Sequence, residues 1–196
     1  MSKFLETIKV VDGEVFHIEY HQRRYESVLK SFGIGNFVQL KEYINPPQKG
    51  FFRCRVIYDL SSNIKVEYVK YQKKEIGSFK LVFDDKIEYR FKYLNRKIID
   101  DLYKNKKDCD EIIIVKNSYI TDTSIANIAF FTGFEWITPK YPLLYGTTRQ
   151  RYIESNKIKE VKIDVDEIYS FEKVALLNAM VDFDIIPATN LKDIIC

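Results

Sequence analysis

Residues 111–137 read EIIIVKNSYITDTSIANIAFFTGFEWI. Residues 111–115 are a short apolar run of strand length, the kind found buried on both faces. Residues 119–121, 125–131 and 135–137 follow as further strands, and Gly133 supplies the turn between the last two. Strands in succession, with no helix between them, cluster rather than alternate as βαβ units. The fold class this predicts is α+β.

Downstream, residues 146–154 open with Gly146-Thr147-Thr148 and read as a helix, and 159–165 and 173–177 read as strands. Upstream, 94–103 reads as a helix with Ile98, Ile99 and Leu102 on one face, and 79–83 as a short strand. Residues 51–58 and 64–71 are strands about the turn Ser61-Ser62-Asn63. Asn45-Pro46-Pro47 and Gly50 mark a loop before them. At the start, 4–10 and 14–18 flank Asp12-Gly13, a hairpin signal. A helix from about 20 to 32 then ends near Gly33 or Gly35. The polar break Asp84-Asp85-Lys86 is the expected boundary between a domain at 1–84 and a domain at 85–196.

Composition removes several function classes. The chain has 196 residues, 46% apolar and 30% charged, enough to bury a sizeable core and too apolar for disorder. A net charge of +3 is too small to predict a nucleic-acid binder, and basic and acidic residues are interleaved. No run of about 18 apolar residues is present, so no membrane span is expected. The N-terminal residues carry no signal-peptide core. Cys54, Cys109 and Cys196 are too scattered for a metal pair or a disulfide framework. With only His17 and His21, a histidine zinc site is not expected, and no metal is predicted. A reduced, cytoplasmic setting fits these features.

Four segments carry residues suited to chemistry. Gly146-Thr147-Thr148-Arg149, at a helix start, offers backbone N–H groups and hydroxyls to a phosphate, although Thr also serves as an ordinary cap. Arg24, in His21-Gln22-Arg23-Arg24, has the donor fork for a phosphate, or belongs to a solvated basic face. Lys92 lies among aromatic residues where desolvation favours a nucleophilic amine, or it snorkels at the surface. Asp122, in Thr121-Asp122-Thr123-Ser124-Ile125-Ala126-Asn127, would need a cationic partner if buried, or sits in an exposed polar turn.

Taken in order, these segments resemble the class IV aminotransferase family, the fold-type IV pyridoxal-phosphate enzymes, and within it the 4-amino-4-deoxychorismate lyase branch. The segment from Phe4 to Gly13 is similar to FET-x-R-V-x-DG, and His21-x-x-Arg24 to H-x-x-R-L. Lys92-Tyr93-Leu94-Asn95-Arg96 resembles K-x-L-N-R, and Thr121-Asp122 through Asn127 resembles T-E-x-x-x-x-N. Thr138-Pro139 and then Gly146-Thr147-Thr148-Arg149 resemble TP and G-I-T-R. Leu177-Asn178-Ala179-Met180 resembles the late N-A-L/M turn. The resemblance spans nearly the whole chain.

The resemblance implies roles. Lys92 would hold pyridoxal 5'-phosphate covalently and move the substrate proton, with Thr7 assisting. Arg24, Gly146, Thr147 and Thr148 would bind the phosphate, and Asn127 would join the cofactor-binding set. Asp122 would pair with the pyridine nitrogen. Arg55, Asn178 and Ala179 would face the substrate. Where the family has Glu, Asp122 is one methylene shorter, so the backbone or cofactor shifts or a water bridges. The family also carries an N-terminal stretch before FET that walls the substrate side and supports the dimer. The implied fold is a small N-terminal α/β domain and a C-terminal β-barrel-like domain, with the cofactor between them, in a homodimer. The implied reaction releases pyruvate and p-aminobenzoate from aminodeoxychorismate, in folate synthesis. Its alternatives are a branched-chain or D-amino-acid aminotransferase and a non-catalytic, shortened relative acting as a binding module.

Overall fold

The computed structural model describes residues 2–187 and 190–195. Contacts divide the chain into two units, one of Met1–Lys73 with Phe91–Asn95 and one of Lys74–Arg90 with Arg96–Cys196.

In the first unit, β1 (Lys3–Val11) alternates strictly between buried and open positions, as a half-covered strand must. The strand pairs antiparallel with β3 (Phe51–Asp59), which pairs antiparallel with β4 (Ile64–Lys70). The short β2 (Glu14–Val15) completes the order β2-β1-β3-β4. Asp12 and Gly13 both have positive φ, 47° and 83°, as a twist-matched two-residue hairpin requires. The extended run expected to reach residue 18 stops early because His17 takes a left-handed conformation, and α1 (Ile18–Ser31) starts there. That helix buries His21, Tyr25, Val28 and Leu29, a spacing that puts all four on one face. Tyr25, Val28 and Leu29 pack with Phe4, Ile8, Val10, Val56 and Tyr58 of the sheet.

Residues 91–95 run extended along the other side of β1. Leu5 N donates to Lys92 O at 2.9 Å, Leu94 N donates to Lys3 O at 2.9 Å, and Phe4 bridges to Tyr93. This pairing delays the helix expected from residue 94, and α2 is Lys97–Tyr103.

The second unit is built on an eight-stranded mixed sheet. Its β5 (Phe79–Phe83) lies parallel to β6 (Glu111–Lys116), followed by antiparallel β7 (Tyr119–Thr123), β8 (Asn127–Phe131) and β9 (Trp136–Pro139). The edge strand β10 (Lys159–Val161) runs parallel to β9, while β11 (Lys173–Asn178) branches from β8 and carries β12 (Asp182–Ile185). The helix α3 (Thr147–Glu154) connects β9 to β10. Phe79, Ile113, Ile128, Phe130, Val174 and Leu176 form the main core. The strand expected to reach 165 ends at Val161, and Val165–Ser170 is a 3-10 turn closed by a capping box of Asp164 and Glu167. The four residues of β12 are too few for alternation to reveal. Gly133 has φ 95°, as its turn requires.

Among the described residues no helix is long and apolar enough to cross a membrane, and no group of His, Cys, Asp or Glu could hold a metal. Cys54 and Cys109 are free and buried, and Cys196 lies outside the described residues.

Candidate active site

The strand alternation that buries Phe4 and Ile8 also buries Glu6 between them. A carboxylate on a core face needs charged or hydrogen-bonded partners. Three donors from α1 supply them: His21 Nδ1 to Oε2 at 2.6 Å, Arg24 Nε to Oε1 at 2.8 Å, and Arg24 Nη2 to Oε2 at 2.6 Å. Burial works against the charge of Glu6, but the Arg24 charge and the bonds from His21 and Arg24 outweigh it. The carboxyl is held down at about 2. Burial lowers His21, overriding the opposite pull of Glu6, and the charges of Arg24 and Lys92 lower it further. The net shift favours the neutral imidazole, and because a carboxylate only accepts, Nδ1 carries the proton of this bond. Arg24, whose side chain is 14% exposed, is the member of this cluster that reaches solvent.

Lys92 is placed by the backbone of β1. Because Phe4 faces Tyr93, Lys92 lies opposite Leu5, on the sheet face that carries Thr7. Thr7 is paired directly with Arg55 of β3, so Lys92, Thr7 and Arg55 share one face while Glu6, His21 and Arg24 share the other. Arg55 Nη1 donates to Glu67 Oε2 at 2.8 Å, with both side chains about 30% exposed. A substrate carboxylate at Arg55 would exchange with Glu67.

The second unit gathers the remaining predicted residues. Asp122 and Asn127 face each other across the β7–β8 hairpin, and Asn127 Nδ2 donates to Asp122 Oδ1 at 2.6 Å. Leu144 N donates to Asp122 Oδ2 at 2.9 Å, and Asn127 Nδ2 also donates to Leu144 O at 2.8 Å. Asp122 is buried, not the exposed turn residue that was its plainer reading. Burial raises its carboxyl to about 6, against the bonds from Leu144 and Asn127 and the charge of Arg149. Gly146 stands against the same asparagine: a Cβ there would fall 1.9 Å from Asn127 Oδ1.

Gly146 is the cap of α3 and provides no side-chain bond to its first turn. Thr147 and Thr148 are buried, yet their hydroxyls have no hydrogen-bond partner among the described residues. Arg149, 1% exposed, donates through Nη2 to Pro139 O at 2.8 Å and Glu160 Oε1 at 2.6 Å, so it anchors the helix start. Asn178 Oδ1 accepts from Met180 N at 2.9 Å and Val181 N at 3.1 Å, which forms the β11–β12 turn that contains Ala179.

The raised Asp122 carboxyl has a consequence for stability. The folded chain binds that proton more tightly than the unfolded chain does, so this group lowers stability as pH rises from about 4 to about 6, by roughly 3 kcal/mol. Asp122→Asn should flatten that slope in urea titrations at pH 4 and pH 7. An unchanged difference between the two pH values would refute the assignment.

Glu6 and Arg149 had no assigned role in the sequence reading. A carboxylate at an inward strand position was the available signal for Glu6, because His21 and Arg24 lie three residues apart on one helix face. Nothing in the local pattern of Arg149 announced its burial.

A family model described as amino-transferase class IV matches residues 89–190. An uncharacterized protein of Haemophilus influenzae is 36% identical over 186 residues, covering 92% of this chain and 98% of that one. A crystal structure titled as a "putative 4-amino-4-deoxychorismate lyase" from Haemophilus somnus is 34% identical, covers 92% of this chain and 97% of its own, and superposes with a TM-score of 0.85. A Mycobacterium tuberculosis "hypothetical aminotransferase" in a "PLP-bound form" shares the fold, with a TM-score of 0.77 at 14% identity over 94% of this chain and 79% of that one.

Proposed function

Since the chain belongs to the class IV aminotransferase family, with the two-sheet α+β architecture of fold-type IV pyridoxal-phosphate enzymes, we propose that it is a pyridoxal-phosphate-dependent 4-amino-4-deoxychorismate lyase. The observation that carries the proposal is the placement of Lys92. Residues 91–95, which begin the lyase-like Lys92-Tyr93-Leu94-Asn95-Arg96, are pinned to β1 so that Lys92 and Thr7 share a face.

The residues fit the cofactor. Two buried threonines whose hydroxyls have no partner among the described residues, at the start of an eight-residue helix, suit a phosphate. A buried carboxylate with no cation bonded directly to it among the described residues suits a protonated ring nitrogen. When bound, pyridoxal phosphate supplies an electron sink for the substrate carbon. Lys92 Nζ accepts the proton from the amine-bearing carbon, and Thr7 Oγ1 shares its face as a second proton carrier. Arg24 contributes positive charge for the phosphate while Glu6 fixes the direction of its fork. Arg55 takes a substrate carboxylate, and Asn178 and Ala179 contribute to the substrate side. The products are pyruvate and p-aminobenzoate. The same reading places the protein in the cytoplasm as a homodimer.

The test begins with the visible spectrum of the purified protein with pyridoxal phosphate. We expect an absorption band that borohydride fixes covalently onto Lys92 and that Lys92→Ala abolishes. Release of p-aminobenzoate from aminodeoxychorismate then identifies the lyase. Amino transfer to a 2-oxo acid without that release would make the protein a transaminase. Failure to bind the cofactor would make it a binding module.

A further inference from the structure

Asn127 was expected among the groups that touch the cofactor. Its geometry points elsewhere. The side-chain amide donates in two directions, to Asp122 Oδ1 at 2.6 Å and to Leu144 O at 2.8 Å. The amide oxygen lies against Gly146, close enough that a Cβ there would overlap it at 1.9 Å. One planar group thus touches both ends of the predicted phosphate and pyridine sites. Leu144 closes the loop by donating its own N–H to Asp122 Oδ2 at 2.9 Å. The ring of contacts runs Asp122, Asn127, Leu144 and back to Asp122, and the chain continues from Leu144 through Tyr145 to Gly146.

We propose that Asn127 is a positioning residue: it holds the Asp122 carboxylate in its ionised form and fixes its distance from the Gly146–Thr148 anion loop. Two consequences follow. A donor amide on Oδ1 favours the charged carboxylate over the neutral acid. Because the same amide holds Leu144 O, any displacement of Asp122 is transmitted to the segment leading into α3. Asp122 and the loop are cross-braced as one body. Arg149 of α3 is the charged group acting on Asp122, and its Nη2 is directed to Pro139 O and Glu160. Asn127 is therefore, with the Leu144 N–H, a neutral donor that sets the local geometry, and of the two it is the side chain.

The inference rests on the proposed function for the identity of the ligand, but its first readout needs no ligand. In the wild-type protein, the 15N and 1H resonances of the Asn127 side-chain amide should titrate with the same midpoint as the 13C carboxyl resonance of Asp122. Asn127→Leu keeps a similar shape beside Gly146 and removes both N–H donors without adding a charge. That variant should raise the Asp122 midpoint by about one unit or more, a tenfold change in its proton affinity. Pyridoxal phosphate should bind at least tenfold more weakly to the variant, with the loss growing as pH falls. An Asn127 amide that ignores the Asp122 titration in the wild type would overturn the inference. So would an unmoved midpoint in the variant. Linked titration in a wild-type protein that binds no pyridoxal phosphate would uphold the positioning role and remove the lyase reading.

Discussion

Replacing Glu6 by glutamine should destabilise the first unit by about 3–5 kcal/mol, the typical penalty for leaving one partner of a buried ion pair alone. The expected loss in melting temperature is roughly 6–20 °C. Glu6 is fully buried and accepts three bonds from two side chains of α1, so the change removes charge compensation at Arg24 and a strong acceptor at His21 together. The pH dependence separates this account from a simple packing defect. Glu6 sits at about 2 when folded, below its ordinary value of 4.5. The unfolded chain therefore takes up the proton first. The stabilisation is complete above about pH 4.5 and disappears as pH falls through 2. Wild-type protein should lose stability over that interval, and Glu6→Gln should lose much less. Equal acid sensitivity of the two proteins would show that Glu6 is not held by Arg24 and His21. Under the proposed function, Arg24 would also lose its fixed direction in the variant, so affinity for pyridoxal phosphate should fall even where the fold survives.

The fold and the site were legible in the sequence to different degrees, for physical reasons. The turn residues Asp12-Gly13, Ser61-Ser62-Asn63 and Gly133 located β1, β3, β4 and the hairpins, because tight reversals of the chain demand those residue types. The boundary errors came from tertiary contacts. Residues 94–96 carry no helix breaker, and they stay outside α2 because 91–95 are held extended by β1. The side chains that bear chemistry were named by type and order, but their partners were not. Nothing local says that Arg24 pairs with a strand residue eighteen positions earlier, or that Arg55 pairs with Glu67 across the β3–β4 register. Lys92 was the most dependent on fold: a lysine among aromatic residues becomes informative once Phe4 and Tyr93 are bridged and the strand parity puts it beside Thr7.

Gly146 offers the second large effect, and its argument is steric rather than conformational. The backbone there has φ −73° and ψ 144°, which any residue adopts. A methyl group, however, would lie 1.9 Å from Asn127 Oδ1 and 3.1 Å from its Cγ. Asn127 is held by bonds to Asp122 and Leu144 and cannot rotate away without breaking them. Gly146→Ala should therefore cost about 2–5 kcal/mol, the sum expected when buried polar groups lose their partners. Under the proposed function, the loss of pyridoxal phosphate binding should be larger still, because the displaced amide perturbs Asp122 and the loop together. A double-mutant cycle tests the cause. In an Asn127→Ala background the asparagine is gone, the methyl group has room, and Gly146→Ala should cost less than about 1 kcal/mol. Strict additivity of the two substitutions would mean that the methyl group clashes with something other than Asn127, and the contact between these two residues would not explain why glycine is needed here.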